Sequence, residues 1–365
     1  MKLNQECAML QSELRKFAQQ VLADRVDELE KSCSFPTDNI KRLAEMGIIG
    51  AVIPEKYGGA KLDTTGFAVV LEELGKVCAS TAAIVASHNA YFAYPILKFG
   101  SEELQKKFLP DAAHGKILGG FALPKTNELD VEKTSDAYSI SGRNTFVLNA
   151  AAGGPILVTI NDPSTKESSI YILQQDVTKC KLSKISDTIG LRSAGIGEYN
   201  FQNCCPGQSD LIGQASQGQE ILHSVQDYAR ILFAAISLGI AQGATELALK
   251  YAKERIQFQQ PIITFGMVRE QLADMAVKIE AARHLVYDAA LRIDQGEEYR
   301  SAAAMAKLFA GQAATFVTTA AIQVYGGYGY MKDYPAERYF RDAQMLNVIC
   351  STPDEDKETI VKEIT

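Results

Sequence analysis

The chain has no tryptophan, which excludes little, but its other scarcities exclude more. The four histidines, His88, His114, His223 and His284, lie far apart and show no ligand spacing. The seven cysteines, at 7, 33, 78, 180, 204, 205 and 350, include no C-x-x-C pair. A metal centre is therefore not expected. Scattered cysteines in a long chain read as small buried hydrophobes, the adjacent Cys204-Cys205 included. No run of Lys or Arg stands out against a net charge of −7 and a pI near 5.3, so nucleic acid is not an expected partner. The opening Met1-Lys2-Leu3-Asn4-Gln5-Glu6 lacks the charged-then-apolar pattern of a signal peptide. The most apolar stretch, Ile231 to Ala241, reads as too short to span a bilayer. A cytoplasmic protein with no membrane partner is the expectation.

What is present is a large apolar fraction. With 365 residues, 47% of them hydrophobic, the chain can bury a sizeable core, and its length suggests two or three domains. Three blocks emerge. The first, residues 1–117, is helical. Leu10, Leu14, Phe17 and Val21 recur at helical spacing, Pro36-Thr37-Asp38 starts a helix and Gly47 stops it. Asp63 precedes a run from Phe67 to Val77, Ser80 opens another through Ile96, and Ser101-Glu102-Glu103 starts a fourth. The second block, 118–215, changes period. Short β-favouring runs at 137–140, 145–148, 156–160, 169–173 and 198–201 are punctuated by Gly142, Asn161-Asp162-Pro163 and Pro206-Gly207. It reads as a small antiparallel β domain. The third block, 216–365, is helical again. Ile221, Val225, Leu232, Ile236 and Ile240 share one face of a long helix, which Pro261 is expected to break. A second helix runs to about Gly296 and a third from about Arg300 to Val324, as in a bundle. The fold class is α+β with a helical C-terminal domain.

Ordered motifs sharpen this reading. Ile53-Pro54-Glu55-Lys56-Tyr57-Gly58-Gly59 is followed by Tyr251-Ala252-Lys253-Glu254-Arg255-Ile256-Gln257-Phe258 with Pro261-Ile262. Leu272-Ala273-Asp274-Met275 and Ala304-Met305-Ala306-Lys307-Leu308-Phe309 come next. Ile322-Gln323-Val324-Tyr325-Gly326-Gly327-Tyr328-Gly329-Tyr330, Asp333-Tyr334-Pro335 and Arg341-Asp342-Ala343 complete the series. In this order the chain resembles the acyl-CoA dehydrogenase family over essentially its whole length. The resemblance implies an N-terminal helical domain, a small antiparallel β domain and a C-terminal four-helix bundle. It also implies FAD shared at a subunit interface, an acyl-CoA substrate, and an electron-transfer flavoprotein acting on the complex.

The implied site residues fall into two groups. Arg255 matches the family arginine that reaches a neighbour's FAD, where a guanidinium suits a pyrophosphate. Phe258, Gln323, Gly326 and Gly327 match the rest of that donated contact, glycine allowing close backbone approach. Arg230 matches a substrate-side arginine. The half that would hold this protomer's own flavin departs from the family. Ala122-Leu123 is followed by Pro124-Lys125-Thr126-Asn127-Glu128 where the family has T-E-P and later A-G-S-D, and Pro124 has no N–H to give. Phe146-Val147-Leu148-Asn149 puts leucine where the family has a threonine near the flavin. Cys350 stands at the position of the family's catalytic glutamate. Two other family base positions read Ala229 and the run His88-Asn89-Ala90-Tyr91, without a carboxylate. Cys350 is then a space-filling small residue, or a thiolate lowered by Arg230. Asp354 and Glu355 read as the start of the last helix.

The first expectation is therefore a non-catalytic subunit that completes the FAD site of a second, intact acyl-CoA dehydrogenase-like partner. One alternative is an active divergent homo-oligomer using Cys350 or Asp354. The other is a cofactor-free regulatory or scaffold protein on the same fold.

Overall fold

The computed structural model describes residues 5–133, 138–175 and 179–365. Met1 to Asn4 and the expected strand start at Ala137 lie outside the described residues.

Seven helices come first: α1 (Gln5–Phe17), α2 (Ala23–Ser32), α3 (Thr37–Glu45), α4 (Thr64–Gly75), α5 (Ala79–His88), α6 (Tyr94–Phe99) and α7 (Glu102–Ala113). The capping residues act as read from sequence. Asp63 accepts a hydrogen bond from Gly66 N at 2.7 Å and Ser101 accepts one from Leu104 N at 3.2 Å. A second cap on α4 is long-range and was not legible. The Asp294 carboxylate accepts from Thr64 N, Thr65 N and Thr65 Oγ at 2.7, 2.9 and 2.6 Å. Asp294→Ala is expected to lower unfolding stability by about 1.5–3 kcal/mol, because a charged acceptor of three donors is lost. Urea denaturation of the two proteins checks this.

Two π-helical turns interrupt the helical run, Ala18–Leu22 between α1 and α2 and Asn89–Ala93 between α5 and α6. The extra residue in each rotates the buried stripe. Across the first, Leu14, Ala18 and Leu22 are fully buried, while Leu10 and Phe17 pack partly buried on the same core. The second turns the whole segment from Asn89 to Ala93 inward, Tyr91 included.

The middle of the chain forms β1 (Gly120–Ala122), β2 (Asn127–Lys133), β3 (Tyr138–Leu148), β4 (Ile156–Asn161), β5 (Ser168–Leu173), β6 (Cys180–Ile185), β7 (Gly197–Cys204) and β8 (Leu211–Ile212). They lie in the order β6-β7-β3-β1-β4-β5-β8, with β2 also paired to β3. The expectation of a purely antiparallel sheet is corrected at one pair, since β1 runs parallel to β4. Gly142 does not separate two strands either. It sits inside β3 with φ +119°, where the register against β7 shifts, so it makes a bulge rather than a break. Strands β1, β2, β6 and β8 carry too few β-branched or aromatic residues to stand out in the sequence.

The rest of the chain comprises α8 (Gly218–Glu254), the two-stranded ribbon β9 (Ile256–Gln257) and β10 (Gln260–Pro261), then α9 (Gly266–Gln295), α10 (Arg300–Tyr325), α11 (Ala336–Leu346) and α12 (Pro353–Ile364). Pro261 is not the residue that breaks the long helix. The break falls at Arg255, and the ribbon turns the chain before Pro261 with Phe258 and Gln259 at positive φ. The length argument on Ile231 to Ala241 is corrected as well. The full α8 is long and apolar enough to cross a membrane, but 78% of its most apolar window is buried inside the protein. Its apolar character is that of a central core helix, packed on α4, α9 and α10.

One core joins the N-terminal helices to α8, α9 and α10, and a second fills the sheet. Alternate residues of β1 and β3 divide between them. Phe121 and Leu148 face the helical core, Ala122 and Val147 the sheet core. The β1 end, the π turn with Tyr91, the face of α8 and the segment after α11 therefore converge.

Candidate functional site

These elements enclose a cavity of about 350 Å³. Tyr91 and Phe121 form part of its wall, as do Leu123, Pro124, Val348 and Ile349, and Cys350 is set among them. Lys125, Glu355, Gln219 and His223 supply its polar lining. A second cavity of about 350 Å³ lies between Glu72, Glu73, Arg15 and Arg283, whose charges pair with one another. The first cavity has the apolar walls and few polar groups that a small ligand requires.

Cys350 is buried, with Gln226 O at 4.0 Å, Ser351 Oγ at 3.9 Å and the Tyr91 hydroxyl also beside its thiol. Burial pushes its thiol above the ordinary value, and the Lys307 and Arg230 cations offset this only in part. A resting thiolate is therefore not what this enclosure favours. Tyr91 is 3% exposed, and its hydroxyl neighbours the Cys350 thiol but has no oxygen or nitrogen partner among the described residues. Its ring stacks on Phe121 at 5.0 Å. Burial raises its phenol well above the usual range, and proximity to Cys350 adds to the rise.

Arg230, expected on the substrate side, lies behind the cavity wall. It is 3% exposed and donates to Asp227 at 2.5 Å, Asp356 at 2.9 Å and Thr359 at 3.0 Å. Ser351 Oγ donates to Asp356 at 2.5 Å, so the same network fixes the chain next to Cys350. Lys307 on α10 is also buried and forms no ion pair among the described residues. Burial lowers its pKa, while Cys350 and Asp356 act the other way.

Asp354 and Glu355 begin α12, as the sequence suggests. Asp354 is exposed and pairs with Lys357. Glu355 lines the cavity, but its carboxylate accepts from Thr352 N at 2.8 Å in a capping box and pairs with Lys125. Neither is a free base.

The turn after β1 is closed on itself. Pro124 starts a 3₁₀ turn, and the Leu123 carbonyl accepts from Asn144 Nδ2 at 2.8 Å, Thr126 Oγ at 3.0 Å and Thr126 N at 3.1 Å. Leu148 is 2% exposed and packs into the helical core without lining the cavity. Ala229 on α8 is fully buried and Asn89 is bonded to Ile49 O and Val85 O.

The remaining expected residues gather elsewhere, and none lines this cavity. Arg255 lies over the Tyr328 ring at 5.5 Å. Phe258 is 86% exposed at the tip of the β9–β10 ribbon, edge-on to Phe265. Gln323 is exposed near the end of α10. Gly326 has φ +60° and ψ −137°, a conformation only glycine adopts readily, and a Cβ on Gly326 or Gly327 would meet nothing within 4 Å. This is an open, aromatic and cationic surface suited to an anionic aromatic ligand.

Tyr91 and Lys307 stand in the motif runs without an assigned role, because a phenol or a buried lysine at helical spacing carries no motif of its own. The pairing of Glu355 with Lys125 spans 230 residues and leaves no local signal.

Comparison with known proteins bears on the whole chain. The family pattern of the acyl-CoA dehydrogenase N-terminal domain matches residues 4–116, and that of the C-terminal domain matches residues 216–352. An acyl-CoA dehydrogenase of Bacillus subtilis is 34% identical, covering 99% of this chain and 98% of the relative. An NADH-dependent acryloyl-CoA reductase of Anaerotignum propionicum is 33% identical, covering 99% and 95%. The structure of butyryl-CoA dehydrogenase from Megasphaera elsdenii superimposes with a TM-score of 0.95 at 30% identity, covering 100% and 99%.

Proposed function

The chain belongs to the acyl-CoA dehydrogenase family, and from that membership we propose that it carries out FAD-dependent redox chemistry at the Cα–Cβ bond of a short acyl-CoA thioester. The observation that carries this reading is the apolar cavity, which sets Cys350 and Tyr91 at the end of β1 and beside α8. A fatty acyl chain fits apolar walls, and its thioester requires only a few polar partners.

FAD fits the surface around Arg255, Phe258, Gln323 and Gly326-Gly327, where open space, an arginine and exposed rings lie together. Arg255 would hold the pyrophosphate of a neighbouring protomer's FAD, with Phe258 and Tyr328 beside its adenine end. The turn at Leu123–Lys125 fits less fully, because its carbonyl is already used and Pro124 offers no N–H. There the chain would hold a flavin ring through apolar contact from Leu123 and Phe121. When bound, FAD supplies the two-electron partner that the thioester requires. The chain's own part is to exclude water, fix the acyl group and move the α-proton.

The matched relatives bear the names of working enzymes and align end to end, which favours a chain that turns over by itself. Pro124, Leu148 and Cys350 favour the second reading, a non-catalytic subunit serving a partner's flavin. Purification separates the two. A yellow homo-oligomer that turns over supports the first, and a colourless chain that turns yellow only with a co-expressed homologue supports the second. Loss of yellow colour in Arg255→Ala, by at least about tenfold in flavin-to-protein absorbance ratio, is expected under either reading. Unchanged flavin content removes Arg255 from the cofactor site.

A further inference from the structure

Resting on the function proposed above, we propose that Cys350 and Tyr91 form a proton-donating pair, and that their substrate is an α,β-unsaturated acyl thioester that receives a proton at Cα. The cavity places the thiol and the phenol in one wall. One observation says that this wall can take a ligand. The Tyr91 hydroxyl is buried with the Cys350 thiol as its polar neighbour and no oxygen or nitrogen partner among the described residues, so a bound carbonyl would complete it. Its ring is held between Phe121 at 5.0 Å and Phe233 at 6.3 Å, so the hydroxyl cannot turn out to solvent.

No carboxylate around the pair is free to take its proton. On α8, Asp227 is bound to Arg230, and His223 is pushed below its ordinary value by burial and by nearby cations. On α12, Asp356 is bound to Arg230 and Ser351, and Glu355 to Thr352 and Lys125. On α10, burial lowers the pKa of Lys307, and Cys350 and Asp356 oppose that fall. The thiol and phenol therefore keep their protons at rest, in keeping with the upward direction of both titrations. A protonated pair is poised to give a proton, whereas α-proton abstraction from a saturated thioester needs a base.

The step balances with reduced flavin as the named reductant. Cβ would receive the hydride that reduced flavin gives up, leaving the flavin oxidised, the former π pair would form the Cα–H bond with the proton of Cys350, and the S–H bond would break. The thiolate left behind would face Lys307 and the Arg230 guanidinium, with the Tyr91 O–H donating to it. Solvent returns the proton after product release. Cys350 is the donor and Tyr91 a positioning residue.

The test uses the full chain with crotonyl-CoA and butyryl-CoA as probes. Calorimetry reads binding, thiolate absorbance near 240 nm reads the Cys350 titration in flavin-free protein, and mediator-driven reduction reads turnover. Cys350→Ala is expected to slow crotonyl-CoA reduction about 10²-fold or more with binding changed only a few-fold. Wild-type reduction is expected to hold constant through neutral pH and to fall once the thiol titrates. Tyr91→Phe is expected to move both that pH limb and the 240 nm titration further up, since the thiolate loses a donor. Unchanged rates and an unmoved titration in both variants overturn the pair. Faster oxidation of butyryl-CoA than reduction of crotonyl-CoA under matched mediator potentials overturns the direction. If the wild type binds neither thioester, the underlying function falls and takes the pair with it. If it binds both and only the variants are silent, the pair alone falls.

Discussion

Cys350→Glu is expected to raise oxidation of a saturated acyl-CoA thioester by about 10²–10⁴-fold, the usual contribution of a positioned acid–base group. The surroundings can accept the carboxylate. Lys307 is buried without an ion pair, Arg230 lies behind the wall, and the Tyr91 hydroxyl has no acceptor. A glutamate at 350 would give the first a counter-charge and could give the last a partner. A cavity of about 350 Å³ leaves room for the longer side chain. Burial would raise the new carboxyl's pKa, and the Arg230 guanidinium and a protonated Lys307 would oppose that rise. Anaerobic dye reduction with butyryl-CoA measures the gain. The same variant should lose crotonyl-CoA reduction at high pH, because the proton it would donate has left. If the variant binds flavin and stays inactive, the defect lies in the turn at Pro124 and at Leu148. The non-catalytic-subunit reading then gains.

This expectation shows how unevenly the sequence reports the molecule. The helices were legible because their apolar stripes and caps are local, as Asp63, Ser101 and Gly296 illustrate. Family order carried the fold where periodicity alone gave only a class. What failed to show depends on contacts distant in sequence. The π turn at Asn89–Ala93 has no signature, yet it turns Tyr91 inward. Arg230 looked like a ligand contact by position, but Asp356, 126 residues away, holds it in the wall. The thiolate reading of Cys350 assumed that a nearby cation would prevail. Burial outweighs it, and burial is a tertiary quantity. Phe258 and Gly326 were named through the family resemblance, and the structure shows both exposed.

Arg230→Ala is expected to cost about 3–5 kcal/mol of stability, because it breaks a buried ion-pair network. The side chain is 3% exposed and bridges Asp227 on α8 to Asp356 and Thr359 on α12. Its removal leaves two buried carboxylates, with only Ser351 donating to Asp356 and Arg300 at 3.5 Å from Asp227. Burial already raises Asp227 above its ordinary value, and Arg230 is the main cation opposing that rise. Without it the folded state binds protons more readily than the unfolded chain, so the variant's stability should fall as pH rises through the interval between the two pKa values. Urea denaturation at pH 5 and pH 8 should therefore show a larger defect at pH 8. The double variant Arg230→Met with Asp356→Asn should recover part of the loss, because a neutral pair needs no counter-charge. Equal stability of Arg230→Ala and the wild type at pH 8 would show that water, not the network, satisfies the two carboxylates. The loss also reaches the cavity, since α12 carries Glu355 and Ser351 anchors the residue beside Cys350. Thioester affinity in Arg230→Ala is then expected to fall even at temperatures where the protein remains folded, although Arg230 does not line the cavity.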